Sequence, residues 1–350
     1  MILITGATGH LGNVLVRELI NSGEKVRVFV LPGEPLKALE GMLVEVVVGN
    51  ILDCNALKQA MQGIDQVYHL AGVIAIRPGM EEMMQQVNVE GARNVAEVAL
   101  ECGVKRLVHV SSVHAFRREP HGITIDEKTP LAIDSPNGSY DRTKAEGTMA
   151  VLDAVQKGLN AVIVCPTGII GSHDYADSEM GRALLSFADR RVNLLIDGAF
   201  DFVDVHDVAR GLILACAKGR CGEIYILSGQ QETIESLHDM TRKAQGEKAY
   251  KVKVPVKLAI VAVSIIQYFT QWLKIRSHYT VYSLQTVIDN SVFSSQKAWN
   301  ELGYRPRPLS EAIADFLVWS SSKKRAVQES LKLRSGKKRY RKTVIPQKQG

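Results

Sequence analysis

Residues 138–146 read GSYDRTKAE, in which a tyrosine, Tyr140, stands four positions before a lysine, Lys144. Positions i and i+4 are neighbours on one face of a helix, so the two side chains can interact. A tyrosine is a weak base at neutral pH, and a neighbouring ammonium group lowers its pKa by favouring the phenolate. The pair is therefore a candidate for proton transfer to or from an alcohol or a ketone. The alternative is a solvated helix face that carries these two residues by chance.

Two serines lie at the end of a stretch with the pattern of a buried strand, RLVHVSS. Ligands of doubly wound α/β folds bind at the carboxyl ends of the strands, where Ser111 and Ser112 would stand. A hydroxyl group in that place can polarise a carbonyl group. The alternative role for both serines is to cap the end of the strand.

The first apolar stretch of the chain, MILIT, leads directly into a glycine-rich turn, TGATGHLG. Glycine lets the backbone approach a pyrophosphate without a Cβ clash, and the helix that follows offers unpaired N–H groups and its positive dipole end. A glycine triplet alone is weak evidence, but a position between a strand and a helix is the context that nucleotide binding requires. We therefore predict that this turn binds a dinucleotide. Its predicted contacts are Gly6, Thr8, Gly9, His10, Leu11 and Gly12.

Short apolar, β-branched stretches alternate with helical patterns over the first half of the chain. Strands that are apolar on both faces and separated by helices indicate a parallel sheet that is covered on both sides. We predict an α/β fold, with a Rossmann-type doubly wound sheet over residues 1–165 that includes a long helix near 81–102. A smaller, substrate-binding lobe is predicted mainly in 166–322, interleaved with returns to the core near 202–227.

The net charge of +6 is concentrated at the C-terminus. Residues 323–350 contain eleven Lys and Arg against one acid, so residues 1–322 carry a net charge of −4. Residues 1–322 show no sequence pattern that indicates specific binding of nucleic acid. The basic segment is predicted to be a disordered tail that contacts an anionic membrane or nucleic acid, or only aids solubility. The five scattered cysteines lack zinc-ligand spacing and indicate reduced thiols in a cytoplasmic protein, and no cluster of residues indicates a metal.

Residues 258–273, LAIVAVSIIQYFTQWL, form an apolar stretch that includes Gln267 and Gln271. The stretch is short for a membrane span. We predict a buried or lid helix. The alternative is weak contact with a membrane surface, in which the basic tail would act as a second anchor and the cytoplasmic protein would be peripheral.

Taken together, TGATGHLG, the Tyr140–Lys144 pair and HVSSVHAF resemble the extended short-chain dehydrogenase/reductase family, within the NAD-dependent epimerase/dehydratase superfamily. The order and spacing of the motifs carry this resemblance, which extends to about residue 320 and is closest to the dihydroflavonol-reductase and 3β-hydroxysteroid-dehydrogenase branch. It implies a Rossmann-type fold and chemistry with a nicotinamide cofactor. Further matching segments are VYHLAG (67–72), NVEGARNV (88–95), CPTGIIG (165–171), FVDVHDVA (202–209) and AWNELGYRP (298–306).

The resemblance implies a role for each residue of the candidate site. Tyr140 is the acid/base, Lys144 lowers its pKa and binds the nicotinamide ribose, and both border the cofactor. Ser112 polarises the carbonyl group, with Ser111 as the alternate. Asn88 is expected to hold backbone near the site. Further cofactor contacts in the prediction are Leu31, Asn50, Ile51, Leu70, Ala71, Gly72, Pro166, Gly168 and Ile169.

Five other polar residues carry expectations that are mainly structural. Asp53 is predicted to cap the helix that follows it. His114 and His121 precede Tyr140 in a loop and are expected to be solvated, with substrate contact as the alternative. His206 and Asp207, in FVDVHDVA, are expected to hold the lobes together.

The end of the second predicted strand bears on the choice between NAD and NADP. An acid at that position binds the ribose hydroxyls of NAD, whereas a basic residue favours the 2′-phosphate of NADP. The chain has Leu31 there, followed by Pro-Gly-Glu-Pro. NADP is slightly favoured, because no acid is immediately adjacent and Lys37 could reach the phosphate, although Glu34 could play the opposite part.

We predict an NAD(P)-dependent oxidoreductase that interconverts a secondary alcohol and a ketone on a small, fairly apolar substrate, with a homodimer as a candidate assembly. One alternative is a nucleotide-sugar epimerase or dehydratase with tightly bound NAD. Such enzymes often carry an asparagine where this chain has Pro166 and Thr167. Another alternative is a non-catalytic dinucleotide-binding sensor or assembly factor, and the intact Ser112, Tyr140 and Lys144 argue against it.

Overall fold

The computed structural model of the protein describes residues 1–74, 79–136, 138–190, 192–248, 250–272, 281–323 and 325. For residues 265–272, 281 and 283 it describes the backbone only. The basic tail predicted over 323–350 lies outside the described residues, apart from Lys323 and Arg325.

The described strands and helices alternate along the first half of the chain, as the sequence predicts. The strands are β1 (Ile2–Thr5), β2 (Val26–Val30), β3 (Glu45–Val48), β4 (Gln66–His69), β5 (Arg106–Val110), β6 (Ala161–Pro166), β7 (Gly168–Ile170), β8 (Val192–Ile196), β9 (Ala199–Asp204), β10 (Ile224–Leu227), β11 (Gln230–Thr233) and β12 (Tyr250–Val254). The helices are α1 (His10–Asn21), α2 (Cys54–Ala60), α3 (Glu81–Met84), α4 (Gly91–Glu101), α5 (Ser139–Gln156), α6 (Glu179–Asp189), α7 (Val205–Lys218), α8 (Ile234–Gln245), α9 (Val256–Trp272), α10 (Val281–Ile288), α11 (Gln296–Leu302) and α12 (309–323).

The main sheet is parallel and has seven strands in the order β10-β6-β5-β4-β1-β2-β3. Strands β1, β5 and β6 are buried along their whole length, because helices cover both faces of the sheet. The order of the strands reverses between β1 and β4, and the carboxyl ends of strands at such a switch point form the usual ligand site of doubly wound folds. The predicted Rossmann-type fold class is confirmed.

Helices α1 and α7 pack against each other over one face of this sheet. Leu15 and Leu19 of α1, and Val208 and Leu212 of α7, are buried in a shared apolar cluster. Each pair is four residues apart and therefore lies on one side of its helix. Helices α2, α4 and α5 cover the opposite face in a second cluster. This arrangement leaves the strand ends as the place where loops can hold a ligand.

The smaller lobe is built from a three-stranded sheet, in the order β11-β9-β7, and a two-stranded parallel sheet of β8 and β12. Between these elements the chain returns to the larger part. Helix α7 packs on α1, and β10 pairs with β6 at the edge of the main sheet. The two parts are therefore interleaved along the sequence.

The single helix predicted near 81–102 is interrupted. Helix α3 is followed by a π-helical segment, Gln85–Glu90, before α4 begins. Such segments are rare and are frequent at functional sites, because the wider turn changes the direction of the side chains. Asn88 lies in this segment and is buried.

The apolar stretch predicted to form a buried or lid helix is helical in α9, but its first turns are not buried. Leu258 and Val261 are 62% and 55% exposed, whereas Ala259 between them is buried. Apolar character predicts a preference for burial, but none of the described elements covers this side of the helix. Among the described residues, no helix is long and apolar enough to cross a membrane.

Gly147 allows α5 to lie against the π-helical segment, since a Cβ at this position would stand 2.2 Å from the carbonyl oxygen of Asn88. We predict that Gly147→Ala lowers the free energy of unfolding by about 1–3 kcal/mol, because the helix must shift away. Gly91→Ala is the matched control, since its Cβ would meet only the flexible Ile51 side chain and alanine favours the helix. Urea unfolding measures both variants. Equal stability of the two would contradict the close approach.

Candidate active site

The predicted catalytic residues meet at the carboxyl edge of the main sheet. Ser112 follows β5, and Tyr140 and Lys144 lie in the first two turns of α5, which packs on the short 3-10 helix Val113–Ala115. The glycine turn follows β1, and residues 70–72 follow β4. Because β1, β4 and β5 are adjacent in the sheet, these segments lie side by side.

The glycine turn after β1 is so closely packed that two of its positions require glycine. Gly6 has a φ of +73°, and a Cβ there would stand 2.6 Å from the amide nitrogen of Ala71. A Cβ at Gly12 would stand 2.0 Å from the carbonyl oxygen of Gly6. Helix α1 begins directly after Gly9, which has no side chain to cap it, so its first N–H groups are open to an anionic group. The turn fits the pyrophosphate of a dinucleotide.

Tyr140 and Ser112 are brought into contact. The Tyr140 side chain is buried and hydrogen-bonded to Ser112. Burial raises the pKa of the Tyr140 phenol to about 12, and the hydrogen bond with Ser112 opposes that rise. The Ser112 oxygen accepts a hydrogen bond from the backbone N–H of His114 at 3.2 Å. A hydroxyl that accepts in this way keeps its own proton as a donor, so both hydroxyls can donate to one carbonyl oxygen.

Lys144 lies one turn after Tyr140, and its ammonium group donates to the carbonyl oxygen of Val110 at 3.3 Å. Burial lowers the pKa of Lys144 to about 8. The sequence predicts a lowered pKa for a tyrosine beside this lysine, but the pKa of Tyr140 is raised. Burial of the phenol is the largest cause of this rise, the hydrogen bond with Ser112 opposes it, and the charge of Asp141 adds to it. Tyr140 is therefore held as a protonated acid.

Ser111 has a different environment from Ser112. Its hydroxyl shares a hydrogen bond of 2.7 Å with the hydroxyl of Thr148 and lies 3.4 Å from the carbonyl oxygen of Lys144. Both partners belong to α5, so Ser111 fastens the end of β5 to the helix that carries Tyr140. This geometry supports Ser112, rather than Ser111, as the hydroxyl that polarises a carbonyl group.

Asn88 holds backbone beside the site, as the sequence predicts. Its Oδ1 accepts a hydrogen bond from the N–H of Val73 at 2.8 Å, and its Nδ2 donates to the carbonyl oxygen of Val73 at 3.0 Å. Nδ2 also lies 3.3 Å from the hydroxyl of Thr143 in α5. The asparagine thus ties the loop after β4 to the helix that carries Tyr140.

A polar cluster next to Tyr140 is not predicted from the sequence. Asp141 is 1% exposed and accepts hydrogen bonds from the Tyr282 hydroxyl, at 2.5 Å, and from Nε of Arg118, at 3.1 Å. Burial alone would raise the pKa of Asp141, but the hydrogen bonds and charges of His114, Arg118 and Tyr282 outweigh it and hold that pKa below its usual value. A buried, ionised carboxylate therefore lies directly beside the tyrosine acid.

The sequence contains only a partial signal for this cluster. Asp141 directly follows Tyr140 in YDRTK and could be suspected for that reason. Tyr282 lies 141 residues away from Asp141, and Arg118 lies 23 residues away. No motif links these three residues, and only the fold brings them together.

His114 belongs to an aromatic wall beside Tyr140, so the expectation of a solvated loop histidine is wrong for it. Its ring stacks on Phe200 at 5.9 Å and meets the Tyr140 ring edge-on at 5.6 Å. The rings of Tyr140 and Tyr282 lie 6.5 Å apart in a T-shaped arrangement. We call these four side chains the aromatic wall. His121, by contrast, is exposed and lines a cavity.

Three of the predicted cofactor contacts lie in the segment after β4, against the glycine turn. Leu70 donates its N–H to the carbonyl oxygen of Thr5 at 3.1 Å. Ala71 donates its N–H to the hydroxyl of Thr5 at 3.3 Å. Gly72 follows, and a Cβ there would stand 3.3 Å from both Oδ1 of Asn88 and Nζ of Lys144. The segment therefore joins the glycine turn to the catalytic lysine.

Asn50 and Ile51 follow β3, farther along the same edge. The side-chain oxygen of Asn50 accepts a hydrogen bond from the N–H of Leu52 at 3.0 Å, and Asn50 itself is exposed. Ile51 is buried, and its carbonyl oxygen accepts from Asn94 of α4 at 3.2 Å. Asp53 caps α2 through two backbone N–H groups, which confirms its predicted role.

The remaining predicted contacts lie on the other side of the glycine turn. Leu11 is buried in the first turn of α1, and Nε2 of His10 donates to the carbonyl oxygen of Ser172 at 2.9 Å. Burial lowers the pKa of His10, so its ring is neutral. Pro166 ends β6. Gly168 and Ile169 lie in β7, which pairs with β9.

Glu34 joins the loop after β2 to the glycine turn. Its carboxylate accepts hydrogen bonds from the N–H of Leu31, at 3.0 Å, and from the hydroxyl of Thr8. Leu31 itself is 54% exposed. An acid is therefore present at the end of the second strand in space, although the sequence places it three positions later.

His206 and Asp207 connect separate elements, as predicted. The His206 ring contacts the Glu18 carboxylate of α1 and the Ser172 hydroxyl, each at 3.1 Å. Asp207 accepts a hydrogen bond from the N–H of Arg307 at 2.7 Å. These contacts fasten α7 to α1 and to the C-terminal segment.

Comparison with known proteins agrees with this geometry. Residues 2–228 match the model of the NAD dependent epimerase/dehydratase family. The chain is 34% identical to sterol demethylase protein B of Methylococcus capsulatus, over 91% of this chain and 97% of that protein. It is 27% identical to a 3-beta-hydroxysteroid dehydrogenase of Mycolicibacterium neoaurum, over 91% of this chain and 90% of that protein.

Among solved structures, the crystal structure of gox2253 is similar to this one, with a TM-score of 0.79 and 30% sequence identity. The similarity covers 92% of this chain and 98% of that chain. Family match, relatives and site geometry lead to one conclusion. The protein belongs to the NAD-dependent epimerase/dehydratase family and is an oxidoreductase of the extended short-chain dehydrogenase/reductase type.

Proposed function

We propose that the protein interconverts a secondary alcohol and a ketone on an apolar, ring-containing small molecule, with NAD as the cofactor. One observation carries the proposal. The side chains of Tyr140 and Ser112 lie close enough for Ser112 to lower the pKa of the phenol, at the carboxyl edge of the sheet and next to a glycine turn that fits a dinucleotide. Two hydroxyl donors in such a place are what reduction of a carbonyl group requires.

A residue of the chain can carry out each step of the reaction that the cofactor does not. The bound nicotinamide supplies or accepts the hydride. Ser112 donates a hydrogen bond to the carbonyl oxygen and stabilises the negative charge that develops on it. Tyr140, whose raised pKa keeps it protonated, gives its proton to that oxygen. Lys144 places a buried ammonium group beside these two residues, where it can hold the ribose hydroxyls of the cofactor.

The aromatic wall supports an apolar, ring-containing substrate. The rings of His114, Phe200 and Tyr282 surround Tyr140 and offer flat apolar surface. A cavity of about 460 Å³ lies nearby in the smaller lobe, and its lining includes Val287 and Ile288 of α10, the helix that carries Tyr282. Cavities of this size bind small molecules. The names of the two relatives, a sterol demethylase protein and a hydroxysteroid dehydrogenase, support a sterol-like substrate class.

An epimerase or dehydratase reaction is the second candidate, because the matching family includes such enzymes. Both candidates would use the same proton-transfer residues. They differ in the fate of the cofactor, which an epimerase keeps bound and returns to its starting state. Purified protein that contains NAD and does not change it during turnover would favour this second candidate over net oxidation or reduction.

The contacts of Glu34 favour NAD, in contrast to the slight preference for NADP that the sequence suggests. The carboxylate touches both the glycine turn and the end of β2, so it lies where an adenosine ribose would be recognised. A carboxylate accepts hydrogen bonds from ribose hydroxyls and repels a 2′-phosphate.

Replacement of the acid tests the proposed chemistry. We predict that Tyr140→Phe lowers kcat for the reduction of a ketone by roughly 10²–10⁴-fold, because the proton donor is lost, and leaves NADH binding unchanged. Tyr175→Phe is the matched control, since Tyr175 packs on Trp319, outside the site. Steady-state rates and NADH fluorescence titration measure the two effects. Wild-type turnover in Tyr140→Phe would refute the assignment.

The pKa of Lys144 sets an expected pH dependence. With a pKa lowered to about 8, the lysine is charged below that pH and becomes neutral above it. Tyr140, with a pKa of about 12, stays protonated over the same range. We therefore predict that kcat/KM for NADH falls as the pH rises through 8, and that Lys144→Met lowers it at every pH and removes the dependence. If kcat/KM for NADH stayed constant until the pH reached the usual pKa of lysine, the result would contradict this prediction.

Cofactor choice gives a separate prediction. We expect wild-type protein to bind NADH more tightly than NADPH, and Glu34→Gln to reduce that preference by roughly 10-fold or more, because a hydrogen bond to a charged group is lost. Glu40→Gln, an exposed acid nearby, is the matched control. Fluorescence titration of each variant with both cofactors measures the ratio. A wild-type preference for NADPH would overturn the role given to Glu34.

A further inference from the structure

The two-stranded sheet of β8 and β12 exposes an apolar face. In its register, Val192 is paired with Tyr250 and Leu194 with Val252. Paired residues of a parallel ladder point to the same side, and so do residues two apart in a strand. These four side chains are 53%, 80%, 72% and 48% exposed, respectively. Four of the six apolar residues on this side of the sheet are therefore exposed to solvent, and the other two, Ile196 and Val254, are partly buried.

The opposite side of the same sheet is turned to the protein. Asn193 and Leu195 of β8 are buried. Lys251 of β12 forms ion pairs with Glu235 and Asp239 of α8, at 2.7 and 2.9 Å. The inward side of this sheet thus carries one buried apolar residue and several polar ones, whereas the outward side is apolar throughout, which is unusual for an exposed face.

Helix α9 extends the apolar surface. It begins two residues after β12, and its exposed residues Leu258 and Val261 are three positions apart, on one side of the helix. We use the name docking face for Val192, Leu194, Tyr250, Val252, Leu258 and Val261. Exposed apolar residues grouped in successive elements are a common mark of an interaction site.

The sequence that forms part of the docking face is basic. Residues 248–288, which include β12, α9 and α10, contain six Lys and Arg and no acidic residue. Lys251 and Lys253 of β12 pair with acids of neighbouring elements, whereas Lys257, at the start of α9, is exposed beside Leu258. The sequence of 323–350 is also basic, with eleven Lys and Arg against one acid. An apolar surface with a basic surround complements a membrane that contains anionic lipids.

The docking face lies next to the cavity of the smaller lobe. Ile196 and Lys253, from the ends of β8 and β12, line this cavity, and Val256 at the start of α9 does so as well. On its other side the cavity is lined by Val287 and Ile288 of α10, the helix that carries Tyr282. A surface that seats these strand ends on a bilayer would bring the cavity close to it.

We propose that the docking face binds the surface of a membrane containing anionic lipids, with the apolar side chains entering the interface and the basic residues contacting the headgroups. The binding is peripheral. It does not depend on the reaction proposed above, because it is carried by surface residues that take no part in the chemistry. A second copy of the chain is the competing occupant, and the charge argues against it, since two basic surfaces repel each other.

Flotation of the purified full-length protein with vesicles tests the proposal. We expect it to float with vesicles of phosphatidylcholine mixed with phosphatidylglycerol, and less with phosphatidylcholine alone. The double variant Leu194→Gln/Leu258→Gln should weaken binding to the mixed vesicles by at least about tenfold, because apolar contact supplies part of the affinity. Leu43→Gln is the matched control, since Leu43 is 91% exposed and lies outside the docking face. It should bind as the wild type does.

Tyr250→Gln provides a second, single variant, in case the double variant does not fold, because Tyr250 is 80% exposed.

Three results would overturn the proposal. In the first result, the wild type floats with neither kind of vesicle. In the second, the docking-face variants float as well as the wild type, which would show that other residues bind the lipid. In the third, no protein floats and sedimentation velocity shows a wild-type dimer that the substitutions dissociate, which would show that a second copy covers the face.

Discussion

The close contact between α5 and the π-helical segment fixes the position of Tyr140 and Lys144. Gly147 has no side chain at the point where a Cβ would collide with the carbonyl oxygen of Asn88. Asn88 and Ser111 then hydrogen-bond to Thr143 and Thr148, so two further groups hold the same helix. Tyr140 and Lys144 extend from a helix that is fixed by its backbone, and such rigid support is what positions catalytic groups to a fraction of an ångström.

The depth of this site decides which of its groups are charged. Burial raises the pKa of Tyr140 and lowers that of Lys144, so both move towards their neutral forms. Asp141 is equally buried, yet its pKa is lowered, because Arg118, His114 and Tyr282 donate to it or carry compensating charge. The number of donors around each group, rather than its burial alone, separates the protonated acid from the permanent anion.

Sequence patterns predict the fold and the catalytic pair because those features are local. The glycine turn lies within eight consecutive residues, and the alternation of strands and helices is visible in windows of a few residues. Tyr140 and Lys144 share one helix turn. The contact of Glu34 with Thr8 spans 26 residues, and that of Tyr282 with Asp141 spans 141. Only the tertiary fold decides such contacts.

Burial of apolar residues is another property that the sequence predicts poorly at the edge of the smaller lobe. The apolar residues of β8 and α9 form the pattern of elements that prefer burial. Whether another element covers Leu194 or Leu258 depends on how the lobe is assembled, and within the described part of the chain these two side chains stay exposed. The π-helical turn around Asn88 is similar, since its composition does not distinguish it from the helix on either side.

The polar cluster also holds the smaller lobe against the helix that carries Tyr140. Helix α10 and the residue that follows it contribute Tyr282 and Asp289, and these bind the Asp141–Arg118 pair. Removing one partner of a buried ion pair costs about 3–5 kcal/mol, because the other charge is left without compensation. A swing of the smaller lobe away from α5 would remove such partners together, so the cluster opposes that movement.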